Sequence, residues 1–192
     1  MTHTVLGPQS MFDGGAAAVF SDDDVFRYRL WREWGPGPTM AFIMLNPSVA
    51  DAFRSDNTVT RCMGFARREG CGRLEVVNLY AFRSPYPKVM AEAMRAGVDI
   101  TGGVENVAAI ETVVTAPDTT VVAAWGETMG AHAWDVAHGY LDGLDVDLWC
   151  LGTTVAGHPR HPLYLPGDAP LTRFELRTRQ RRHWDRQARR EG

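Results

Sequence analysis

The stretch Met40-Ala41-Phe42-Ile43-Met44-Leu45-Asn46-Pro47-Ser48 decides the fold. An apolar run bounded by a turn signal reads as a buried strand. Proline cannot extend a central strand, so the strand stops there. Asn46 is thereby held at the carboxyl end of a rigid element, where open α/β sheets bind their ligands. Its carboxamide offers a donor and an acceptor without charge, suited to reading a polar edge or holding a water.

Outward from this strand, apolar runs at 74–77, 120–125 and 146–151 read as three further strands, stopped by Asn78, Gly126 and Gly152. Helical patterns fall between them, at 58–69, 89–95, 104–115 and 131–141. Strands alternating with helices predict an α/β fold with a mainly parallel sheet covered on both faces. Upstream, residues 16–20 and 25–31 flank the acidic turn Ser21-Asp22-Asp23-Asp24 and predict an N-terminal hairpin. One domain over 1–192 is expected, with its core at about 16–170 and an arginine-rich helix or tail over 171–192.

The chain has 192 residues, 45% hydrophobic and 22% charged, as an ordinary soluble domain does. A net charge of −3 argues against a basic nucleic-acid binder overall, but eight arginines crowd between Arg173 and Arg190. Three cysteines, Cys62, Cys71 and Cys150, lack metal-site spacing and are too few for an all-cysteine iron–sulfur cluster. Reduced thiols and a cytoplasmic location are the expectation, with no cofactor and no metal. No apolar run reaches membrane-spanning length and no signal-peptide pattern is present, so no membrane partner is expected. A monomer is the default.

Four strand ends carry distinctive residues: Asn46-Pro47-Ser48, Asn78, Trp125-Gly126, and the segment Gly157-His158-Pro159-Arg160-His161-Pro162-Leu163-Tyr164. Parallel strands bring such ends to one rim. Asp51 and Asp56, just past Asn46, offer a carboxylate. No serine elbow, Gly-rich phosphate loop or metal motif accompanies them. Each has a plainer reading as well. Asn46-Pro47-Ser48 also fits a simple turn, Asn78 a cap, and Trp125 core packing. The histidine–proline segment is the hardest to explain as structure alone, because two prolines fix a backbone that presents two imidazoles.

The strings IMLNPS, DNT, NLYAFRSPYP, AAWG and GHPRHPLY together resemble a bacterial and phage family known as domain-of-unknown-function family 1643, from about Tyr28 to Leu165. The order of motifs also resembles the uracil-DNA glycosylase superfamily. There, a first strand ends in a polar-Pro motif (Asn-Pro in mismatch-specific members), a second in a base-reading asparagine, a later one in Trp-Gly, and the last motif is His-Pro-Ser-Pro-Leu-Ser. Asn46-Pro47-Ser48, Asn78, Trp125-Gly126 and His158–Leu163 take those places. The resemblance implies a three-layer α/β/α sandwich with a short, mainly parallel sheet. The last motif carries one extra residue, so either His158 or His161 matches the superfamily histidine. The base-stacking aromatic has no clear match; Phe53, Tyr80 and Phe82 are candidates. The iron–sulfur cysteines of some members are absent.

The resemblance implies an N-glycosylase acting on a pyrimidine in DNA. Asn46 would position the water, His161 or His158 would stabilise charge on the departing base, and Asn78 would pair with its edge. Leu163 would fill the gap left in the stack, and Arg160 of the last motif or arginines of the C-terminal tail would meet phosphate. Ser48 stands where uracil-specific members carry a tyrosine that excludes 5-substituted pyrimidines, so a wider pocket is expected. Two other functions fit the same residues: a nucleotide or nucleic-acid binding module without catalysis, and an enzyme acting on a free nucleoside or other small metabolite.

Overall fold

A computed structural model of the chain describes residues 1–7 and 15–176. Its centre is the block that the apolar runs predict. Strands β4 (Thr39–Met44), β5 (Arg73–Asn78), β6 (Thr119–Ala123) and β7 (Leu148–Cys150) lie side by side in the order β5-β4-β6-β7, all parallel. The chain leaves β4 for a neighbour on one side and later returns to a neighbour on the other. Beside β4 the sheet therefore has the change of direction at which open α/β folds form their crevices.

The sheet as a whole is mixed, not mainly parallel. An antiparallel meander of β1 (Thr2–Leu6), β2 (Ala16–Ser21) and β3 (Arg27–Glu33) joins it through β3 and β5, and β8 (Thr172–Arg173) closes the far edge against β7. The expected hairpin is thus present as β2 and β3, but it extends the sheet to eight strands rather than standing apart. Its acidic turn is tied by the Ser21 hydroxyl, which donates to Asp23 at 2.6 Å.

Among the described residues four α-helices pack against the sheet: α1 (Asn57–Arg68), α2 (Pro87–Arg95), α3 (Gly103–Val114) and α4 (Gly130–Leu141). Period-two alternation along β4 divides the core. Met40, Phe42 and Met44 pack with Val59, Cys62, Phe65 and Ala66 of α1. Ala41 and Ile43 pack with Ile110 and Val113 of α3 and with Ala133, Trp134 and Ala137 of α4. The buried positions of α1 recur every three or four residues, the apolar stripe of an amphipathic helix. Its first turn is capped by Asp56, whose carboxylate accepts the Val59 N–H at 2.8 Å, an interaction worth about 1 kcal/mol. The three cysteines are buried and unpaired. No helix among the described residues is long and apolar enough to cross a membrane. Apart from Arg173, the arginine-rich stretch lies beyond Leu176, outside the described residues.

Candidate functional site at the carboxyl ends of the strands

The loops that follow β4 and β5 are stitched together. Ser84 N–H donates to the Pro47 carbonyl at 2.9 Å, and the Asn46 side-chain amide donates to the Ser84 carbonyl at 2.9 Å and to the Pro47 carbonyl at 3.1 Å. With its NH2 group committed twice, Asn46 is held with Oδ1 as its remaining acceptor. On the other side, Gly126 ends the β6 segment with φ +73, and its N–H donates to the Pro159 carbonyl at 3.0 Å. A side chain there would be strained, and its Cβ would stand 3.6 Å from that of His161. Glycine at this position supplies the positive φ with which the strand end meets the histidine–proline segment.

Between these loops lies a cavity of about 510 Å³. Asn46, Ser48, Asn78, Arg160, His161 and Leu163 all line it, so six residues separated by up to 117 positions meet at one rim. Asn78 is 1% exposed, and neither its Oδ1 nor its Nδ2 has a hydrogen-bond partner among the described residues. A buried carboxamide without partners costs about 1–3 kcal/mol, so Asn78 carries a donor and an acceptor that the described residues leave unpaired. The imidazole of His161 accepts the Leu163 N–H on Nδ1 at 3.3 Å, which leaves Nε2 to carry the hydrogen. Burial lowers its pKa below the usual 6.5 and Asp56 opposes that shift, so the ring is neutral at pH 7.

Other expected residues fall elsewhere. His158 is buried with its ring 5.6 Å from that of Trp134, and its backbone pairs with Thr154. Tyr80 is fully buried in the core cluster of α3 and α4, its hydroxyl against His132 and its ring stacked 5.7 Å away. Phe53 is exposed and Phe82 packs edge-on against Phe26, so neither lines the cavity. Pro47 supplies its carbonyl to the loop stitching rather than a face to the wall. Asp51 is spent on a turn, accepting the N–H groups of Phe53 and Arg54 at 2.8 Å each, whereas Asp56 lines the cavity.

The wall also holds Trp125 and Arg27. Trp125, read from the sequence as core packing, is buried against Trp134 and Phe174 and lines the cavity too; its Nε1 has no partner among the described residues. Arg27, from the start of β3, reaches the same wall while 2% exposed. No local motif marks Arg27, because its place depends on how β2 pairs with β3. Among the described residues no group of three or more His, Cys, Asp or Glu is placed to hold a metal ion.

Residues 27–163 match the model of a protein family of unknown function, DUF1643. The chain belongs to the DUF1643 family. The matched span begins at Arg27 and ends at Leu163, both in the cavity wall. No curated protein and no solved structure matches the chain.

Proposed function

We propose that this protein cleaves the N-glycosidic bond of a pyrimidine in DNA, or processes such a base by closely related chemistry, on a three-layer α/β/α frame of the uracil-DNA-glycosylase kind. One observation carries the reading. Asn78 lines the cavity that Asn46 and His161 share, and both halves of its buried carboxamide are without a hydrogen-bond partner among the described residues. A pyrimidine edge offers adjacent donor and acceptor atoms that an amide matches in pairs.

In this reaction the base leaves the helix stack and enters the cavity. Asn46 Oδ1 holds a water at the anomeric carbon, with the Asp56 carboxylate nearby to take its proton. The new bond joins the water oxygen to the sugar. The breaking bond leaves its electron pair on the base, and the neutral imidazole of His161 donates from Nε2 to the base oxygen where charge grows. Leu163 fills the gap in the stack, and Arg160 at the mouth meets phosphate. Ser48, small and partly buried in the wall, leaves room for a substituent at the pyrimidine 5-position.

The test is a mass-spectrometric screen for released base, using single- and double-stranded DNA carrying uracil, thymine and other 5-substituted pyrimidines. Release is expected from at least one substrate, with Asn78→Ala and Asn46→Ala each lowering it about 100-fold. Ser48→Tyr should penalise 5-substituted bases over uracil by about 1–3 kcal/mol. DNA binding without release would make this a binding module. Cleavage of free nucleosides alone would make it a small-molecule enzyme.

A further inference from the structure

Arg27 reaches the cavity through an irregularity in strand pairing. Along the hairpin Ala18 pairs with Leu30 and Val19 with Arg29, but Phe20 pairs with Arg27, which leaves Tyr28 as an extra residue on β3. Cross-strand partners share a face, and Ala18 and Phe20 lie two apart on one strand. Arg27 and Leu30 therefore face the same side although three residues separate them. Strict alternation would have turned Arg27 away with Arg29 and Trp31. Bulges of this kind re-aim side chains beside binding sites.

The re-aimed guanidinium is held in an unusual state. Its Nη1 donates to the Ala50 carbonyl, and its Nε is buried without a partner among the described residues. It makes no ion pair among the described residues; Asp56 and Asp51 act on it only through space. Burial lowers its pKa to about 10, so it remains a cation at neutral pH. Arginine is almost never this buried unless paired. The neighbouring strand residues show the usual solution, since Arg29 grips Glu75 at 2.8 and 2.9 Å.

We propose that the ligand of this cavity carries an oxyanion, a carboxylate or a phosphate, and that Arg27 is the group that meets it. This deepens the proposed function and rests on its pyrimidine pocket. The anion has two sources there, a charged substituent on the base or the phosphate of the nucleotide. A forked guanidinium suits either, because two parallel N–H groups match two oxygens. A purely structural Arg27, bracing the loop at Ala50, would show no preference among ligands.

The experiment is calorimetric titration of the full chain with four probes: deoxyuridine, deoxyuridine 5′-monophosphate, 5-carboxydeoxyuridine and inorganic phosphate. One anionic nucleoside is expected to bind at least about tenfold tighter than deoxyuridine, the scale of one charge-assisted hydrogen bond. That advantage should vanish in Arg27→Gln. Should that variant fail to fold, the unmodified protein still decides: the preference should persist at about 0.5 M salt, where surface attraction is screened and a buried one much less. Preference for the carboxylated nucleoside assigns the anion to the base, and preference for the monophosphate assigns it to the nucleotide. Deoxyuridine bound in an Asn78-dependent way, with no gain from either anion, overturns the inference and leaves the pyrimidine pocket standing. Inorganic phosphate bound as tightly as the monophosphate, through Arg27 and unaffected by Asn78→Ala, overturns the pyrimidine pocket and with it the nucleotide as source of the anion, leaving a bare anion site at Arg27. Binding of none of the four overturns both.

Discussion

Glu75 and Asn78 lie three residues apart on β5, both are almost fully buried, and they are treated in opposite ways. Glu75 is saturated. Arg29 grips it from β3 through Nε and Nη2, and Arg73 adds contacts at 2.9 and 2.5 Å while reaching Glu33 at 2.9 Å. Both guanidiniums also lie over the Trp31 ring, at 5.2 and 5.4 Å. Asn78, an odd number of residues along and so on the other face of the sheet, has no side-chain partner among the described residues. The same two strands that surround one buried polar group with partners leave the other bare. On the proposed function, the difference separates a group spent on the fold from one kept for a ligand, since a polar group left unpaired destabilises the fold that carries it.

The largest expected effect breaks the saturated side. Glu75→Ala would strand two arginines over Trp31 and should lower unfolding free energy by about 3 kcal/mol, read by urea denaturation. A loss below about 1 kcal/mol, the scale of an exposed pair, would mean that the network is solvated and the contrast with Asn78 false. Next comes the bare side. Asn78→Leu replaces an unpaired amide with an apolar group of similar size, so stability should hold or rise by about 1 kcal/mol while ligand binding or base release collapses. Destabilisation by Asn78→Leu would show that the carboxamide has a structural partner after all.

The smallest effect concerns His161. Its folded pKa lies below the usual 6.5, chiefly through burial, so folding favours the neutral ring. That contribution is complete above about pH 6.5 and is lost as pH falls through the lower folded value. His161→Gln should therefore flatten the acid side of the stability–pH curve below pH 6.5. An unchanged slope would place the imidazole in a more open setting than its neighbours imply.

Much of this was legible from local sequence. The runs ending at Leu45, Val77, Ala124 and Leu151 mark the four parallel strands, because apolar runs stopped by Asn, Gly or Pro have few other readings. Asn46, Asn78 and the segment His158–Leu163 were expected at one rim from their place after strands, with His158 and His161 both open; the cavity wall holds His161. What local pattern does not carry is pairing between distant strands. β1 alternates exposed and half-buried residues without an apolar run, and the junction of β3 with β5 makes the sheet mixed. The placement of Tyr80 and His158 in the core behind the site turns on a single residue of register after the strand or turn. Sequence proximity to a motif does not decide that. Arg27 escaped for the same reason.

The extra residue at Tyr28 also changes how relatives of this chain should be compared. A relative one residue shorter between the acidic turn and Leu30 would restore simple alternation, and an arginine aligned with Arg27 would then point to the opposite side of its sheet. Identity at that column is therefore uninformative without the length of the segment around it. Counting that single insertion or deletion sorts family members into those that bring a cation to the cavity and those that do not, before any of them is purified.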